Sequence, residues 1–192
     1  MYASVRKIVS LTIILLATAA ATASAQQRVP DRGMFAIGID FGFAIPHDDL
    51  LETGTFTSVS GEYYMTPRVS LKARFGGAWF ETDDDDVGFE EEVSPMHLTG
   101  NLVYNWERGK IHPYATAGAG WYRYRFRVND ESAGTDSKFG VSLGGGAEYF
   151  LSRSDTILGD VTFHVVSGDA VSSFFVYKSS YWSFSGGYKK YF

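Results

Sequence analysis

Three groups of side chains are of types that could do chemistry. The first is a run of eight carboxylates: Glu81, Asp83, Asp84, Asp85, Asp86, Glu90, Glu91 and Glu92. Hard divalent cations take oxygen ligands, so weak calcium or magnesium binding is one reading. The run lacks the spacing of an EF-hand loop, because no Glu follows Gly88 at the required final position. A solvated, self-repelling loop is the preferred reading, and no metal or other cofactor is assigned. The second group is His164 with Ser167, the one nearby pairing of a base with a nucleophile. Their interval of three puts them on opposite faces of a strand, so no catalytic residue is assigned and no enzyme is expected. His97 and His112 lack even a partnered serine and are read as a luminal residue and a turn residue.

The third group is scattered along the chain but shares one side of it. Asp40, Glu62, Glu148 and Asp160 oppose Lys72, Arg74 and Lys189, with Arg123 and Arg125 beyond them toward one end. Charges in a narrow, dehydrated interior are tolerable only when paired, so a structural salt-bridge network is the preferred reading and a gated ion path the other. If the turn at Pro67 centres its hairpin, Glu62 sits opposite Lys72.

The elements that must carry these groups are strands. In FAIGIDFGFAI, Phe35, Ile37, Ile39, Phe41, Phe43 and Ile45 alternate with Ala36, Gly38, Asp40, Gly42 and Ala44. Successive strand side chains point to opposite faces, so this segment has one oily face and one small or charged face. The same period of two recurs in eight segments, the last ending on Phe192. Val59, Gly61, Tyr63 and Met65 are assigned outward in the second; Val69, Leu71, Ala73, Phe75 and Trp79 in the third; Met96, Leu98, Leu102, Tyr104 and Trp106 in the fourth. Phe139 to Tyr149, Ile157 to Val165 and Trp182 to Phe192 read in the same way. The fifth, PYATAGAGWYRYRF, is ambiguous: Tyr122, Tyr124 and Phe126 suit the outside, while Ala115, Ala117 and Ala119 suggest the other phase, and a bulge near Gly118 or Gly120 would reconcile them.

A soluble sandwich would bury the oily faces, whereas a membrane barrel turns them to lipid and keeps the polar faces for its lumen. Three features favour the barrel. Residues 1–25 read as a cleaved signal peptide, with Arg6 and Lys7 before an apolar run and Ala23-Ser24-Ala25 as the cleavage site, leaving 26–192 as one barrel domain. Connections alternate between short turns and the longer polar stretches 46–54, 82–95, 128–137 and 167–180, the pattern of short periplasmic turns and long external loops, which puts both termini in the periplasm. Aromatic content of 16% with 21 glycines suits a barrel with Tyr and Trp rims and a lumen of small residues.

Composition excludes several classes. Losing Arg6 and Lys7 takes the net charge from −5 to about −7, the opposite of a nucleic-acid binder. The absence of cysteine rules out a disulfide scaffold and a thiolate metal site. After the leader no apolar stretch reaches the length of a membrane helix, so membrane residence requires a closed barrel.

Over essentially the whole mature chain, the dyad segments, the glycine-aromatic strands PYATAGAGWY and FGVSLGGGAEYF, and the C-terminal series Trp182, Phe184, Tyr188 and Phe192 resemble the small eight-stranded outer-membrane barrels of the OmpA/OmpX type. The resemblance implies that this terminal series is an assembly signal read by the barrel-assembly machinery; Lys190 departs from the apolar residue usual two before the end. No active site comes with it. The expectation is an all-β, eight-stranded antiparallel transmembrane up-and-down barrel of a Gram-negative outer membrane, with a side-chain-filled lumen and a structural, surface-interaction or adhesion role. A narrow conduit for small or hydrophobic solutes and a soluble periplasmic ligand-binding barrel are the alternatives. Expected partners are outer-membrane lipid and lipopolysaccharide, the assembly machinery and an unidentified external ligand of the loops. Nucleic acid is not among them, and a closed sheet without free edges makes monomer the expected state.

Overall fold

The computed structural model describes residues 30–48, 51–81, 91–106, 109–128, 131–168, 170–171 and 176–192. The leader 1–25 lies outside these, as do acidic-run residues Asp83, Asp84, Asp85, Asp86 and Glu90. Eight long strands form: β1 (Phe35–Pro46), β2 (Gly54–Tyr64), β3 (Val69–Glu81), β4 (Glu91–Asn105), β5 (Ile111–Val128), β6 (Glu131–Phe150), β7 (Asp155–Val166) and β10 (Tyr181–Tyr191). Each pairs antiparallel with its chain neighbours, and β1 pairs with β10 from Ala36↔Tyr191 to Pro46↔Tyr181, so the sheet closes. Closure satisfies the backbone groups that an open edge would leave bare in lipid. Two short strands, β8 (Ala170–Val171) and β9 (Val176–Tyr177), pair with each other inside the 167–180 connection.

The side-chain alternation decides which face is which. Phe41, Leu71 and Leu102 are 60%, 49% and 52% exposed on the outer wall, whereas a soluble sandwich would bring them together in its core. Alternate positions such as Asp40, Glu62, Lys72 and Asp160 are buried within. The fold is therefore inverted relative to a water-soluble protein, as a lipid-facing barrel requires.

At one end, here the turn end, lie the connections β2–β3, β4–β5 and β6–β7, together with the start of β1 and the end of β10. The sequence builds these turns locally. The Thr66 hydroxyl accepts the backbone N–H of Arg68 (3.3 Å) and of Val69 (2.9 Å), and Gly109 adopts the left-handed conformation (φ +64°) that a β-carbon disfavours. Phe192 N–H donates to the Phe35 carbonyl at 2.8 Å, tying the two ends of the sheet. The longer connections are at the opposite, loop end.

Two expectations are corrected at the loop end. The stretch 128–137 is not a loop: β5 runs to Val128 and β6 starts at Glu131, so the hairpin continues beyond its neighbours. Likewise β4 begins at Glu91, inside the expected 82–95 loop. The second correction concerns β5, which keeps a single phase past Gly118 and Gly120; its register shift lies at Phe126/Arg127. Tyr122, Tyr124 and Phe126 point inward and are buried, while Ala115, Ala117, Trp121, Arg123 and Arg125 point outward. The physical reason is a change of surroundings along the strand. Above the hydrocarbon the outer wall meets headgroups and water, so it carries arginine, and the barrel mouth becomes an ordinary aromatic core.

Candidate functional site

The interior is a stack of layers, and its chemistry follows from which strands deliver side chains to the same height. At the turn end Ala36, Tyr64, Phe150 and Tyr191 form an apolar floor, with the Tyr64 and Tyr191 hydroxyls 3.0 Å apart. His112 packs on Phe150 and its Nε2 lies 3.1 Å from the Gly109 carbonyl, which makes it a turn residue.

Above the floor the seven charged residues singled out by strand parity meet in two clusters. In the lower one, Lys189 on β10 donates to Glu62 Oε2 on β2 at 2.6 Å and to Glu148 on β6. Lys72 on β3 stands 3.7 Å from the same Glu62 oxygen and is its direct cross-strand neighbour. The Ser70 hydroxyl donates to Glu62, and the Tyr191 hydroxyl to Glu148. In the upper cluster Arg74 bridges Asp160 (3.2 Å) and Asp40 (3.9 Å). Tyr114 donates to Asp160 Oδ2 at 2.6 Å, Thr162 to Oδ1 at 2.7 Å, and Ser58 to Asp40 at 2.8 Å. The ring of Tyr114 also lies 4.9 Å from Lys72 Nζ, a cation–π contact joining the two clusters. Each charge is thus paired and all but Lys72 are also hydrogen-bonded, which makes burial tolerable, while Asp40 Oδ1 and Arg74 Nε have no hydrogen-bond partner among the described residues.

Next comes an imidazole and phenol layer. The rings of His97 and His164 are 5.0 Å apart, and His164 stacks on Tyr181 at 4.4 Å. His97 Nδ1 contacts the Tyr181 hydroxyl at 3.1 Å. Phe56, Phe80, Tyr124 and Phe126 close the mouth above them, and Tyr124 donates to the Ser179 carbonyl.

His164 does not meet Ser167, whose exposed hydroxyl donates to the Phe139 carbonyl at 2.7 Å. It meets Ser183 instead, Nε2 to Oγ 3.2 Å, and its Nδ1 faces the Tyr122 hydroxyl at 2.9 Å. A base and a hydroxyl are therefore in contact, but buried beneath the aromatic cluster of the mouth, and among the described residues no carboxylate hydrogen-bonds the imidazole. Sequence spacing could not reveal this pair, since it arises across the β7–β10 ladder. Tyr114, Ser58 and Ser70 were missed for the same reason: each lies on an inward face, but only the register gives it a partner.

Arg123 and Arg125 are not luminal. Both are exposed on the outer wall of β5, because β5 keeps one phase. In the acidic run, Glu81 and Glu92 are direct cross-strand neighbours at the ends of β3 and β4, and Glu92 lies 3.9 Å from Arg127. Trp182, Tyr188 and Phe192 project outward from β10, and so does Lys190, whose ammonium lies 3.1 Å from Asp155 on β7.

The family model of the outer membrane protein beta-barrel domain matches residues 13–189. Among solved structures, the Neisserial surface protein A is 13% identical, covering 83% of this chain and 99% of its own, with a TM-score of 0.66. The attachment invasion locus protein Ail of Yersinia pestis, in complex with the heparin analogue sucrose octasulfate, is 13% identical (84% and 99% covered, TM-score 0.60). OprG of Pseudomonas aeruginosa is 15% identical (84% and 97%, TM-score 0.60). No curated protein matches the chain. At these identities the structural likeness shows the fold.

Proposed function

The chain belongs to the outer membrane protein beta-barrel family, and from that premise we propose that it is a sealed barrel whose working surface is its loop end. The loop end faces the cell exterior and both termini face the periplasm, in keeping with the short turns gathered at the terminal end. Its role is envelope support and surface contact, with an external ligand taken by the rim and loops. The lumen charges have a structural role, and Trp182, Phe184, Tyr188 and Phe192 present the assembly signal. The observation that carries this reading is the filled interior: paired charges are stacked between an aromatic floor and an aromatic mouth, with Glu62, His97, His164 and Lys189 each about 1% exposed. An eight-stranded interior is just wide enough for side chains to fill it. A contact role is in keeping with the Ail barrel, which was solved in complex with a heparin analogue.

The test is conductance in planar bilayers. The native barrel gives no steps across a wide voltage range, and a Phe56→Ala/Tyr181→Ala/Phe126→Ala variant that keeps heat-modifiable gel mobility serves as the opened control. Discrete steps from the native protein would overturn the sealed reading in favour of a conduit.

A further inference from the structure

On the outer wall of β5 a greasy band gives way to positive charge within two residues. Trp121 is 68% exposed and meets the edge of Phe139 on β6 at 6.1 Å, an aromatic pair of the kind that marks a membrane interface. From Ile111 to Trp121 the strand has the length that crosses the hydrocarbon, roughly 9–11 residues. The next outward positions are Arg123, Arg125 and Arg127, all exposed. They are spaced about 7 Å apart along the strand and start at headgroup height.

Their neighbours leave two of them available. Arg123 lies between Met96 and Ser137 on the flanking strands, and Arg125 between Ser94 and Thr135, none of them charged. Among the described residues neither guanidinium has a carboxylate partner, whereas Arg127 faces Glu92. On β3 and β7 the outward position beyond a rim residue is not basic: Glu81 follows Trp79, and Ser167 follows Val165. In a chain of net charge −5, this is a local reversal of sign.

We propose that Arg123 and Arg125 bind phosphate groups of a lipid in the outer leaflet. The guanidinium fork matches a phosphate bidentately, and two forks on one face fit two phosphates of one headgroup or of adjacent headgroups. The side chains leave the wall sideways from just above Trp121, so they meet lipid headgroups and not a ligand seated on the loop tips. The site rests on the orientation proposed above.

The experiment uses the full folded barrel in detergent, with retention of bis-phosphorylated lipid A and of enzymatically dephosphorylated lipid A measured by native mass spectrometry. The native protein is expected to retain the phosphorylated lipid, and Arg123→Gln/Arg125→Gln to bind it about tenfold or more weakly, with Arg123→Lys/Arg125→Lys in between. The dephosphorylated lipid binds the native protein no better than the phosphorylated lipid binds the Gln variant. All variants keep native gel mobility, because both side chains stand outside the barrel. Equal retention by the Gln variant, equal retention of the dephosphorylated lipid, or no retention at all overturns the proposal. Orientation is read separately: Thr53→Cys in the β1–β2 connection, away from β5 and the sole thiol, reacts with an impermeant maleimide on intact cells, and failure there overturns the orientation whatever the lipid result.

Discussion

Replacing Lys189 with Met removes the ammonium that holds Glu62 at 2.6 Å and also holds Glu148, in a cluster almost wholly shielded from solvent. Two outcomes are distinguishable by size. Removing one partner of a buried ion pair leaves an uncompensated charge and costs about 3–5 kcal/mol, whereas the same deletion at a solvated pair costs roughly 0–1 kcal/mol. Lys72 remains 3.7 Å from Glu62, so the loss falls mainly on Glu148, whose other partner is the Tyr191 hydroxyl. Neutralising that carboxylate as well, in Lys189→Met/Glu148→Gln, should therefore recover at least about 2 kcal/mol of the loss. The assay is urea unfolding of the barrel in phospholipid vesicles, followed by the fluorescence of Trp79, Trp106, Trp121 and Trp182, all on the outer wall. A loss below about 1 kcal/mol for the single variant, with no recovery in the double, would mean that water reaches Lys189, and the sealed lumen would be refuted along with the magnitude.

Gly42 and Gly100 make a contrasting pair in the same assay. A β-carbon at Gly42 would come within 1.9 Å of the Phe184 carbonyl, so Gly42→Ala should cost about 1–3 kcal/mol, while Gly100→Ala meets nothing within 4 Å and should stay within about 0.5 kcal/mol. His164→Ala removes a partner of the Tyr122 hydroxyl and leaves the Ser183 hydroxyl only its 3.4 Å bond to the Thr162 carbonyl, and should destabilise by roughly 1–3 kcal/mol. Mass spectra of lipid A should be identical with and without that variant; an acylation change dependent on His164 would revive a hydrolase. Phe192→Ala should lower the yield of folded barrel in cells without changing refolding in vitro, since the Phe35–Phe192 contact is made by backbone atoms. A yield equal to that of the native chain would remove Phe192 from the assembly signal.

The barrel and its inside-out polarity were legible in the chain because alternation is a local property of extended backbone. Once Phe41 is outward, Asp40 must be inward, whatever the rest of the molecule does. The same parity separates His164 from Ser167. It misled at β5, where Tyr122, Tyr124 and Phe126 look like lipid-facing residues only if the surroundings are uniform along the strand. They are not, because the strand rises out of the membrane and the polarity of its two faces exchanges there.

Parity by itself therefore determined the strand class, the lumen-facing set that includes Asp40, Glu62, Lys72, Arg74, Glu148, Asp160 and Lys189, and the lipid-facing band. Tertiary structure alone decided who meets whom: Lys189 with two carboxylates from β2 and β6, Arg74 with Asp160 across the lumen, His164 with Ser183, and Arg123 and Arg125 at the outer rim. Those meetings depend on the relative heights of strands far apart in the chain. Only the register of every ladder and the closure of β1 on β10 set those heights together.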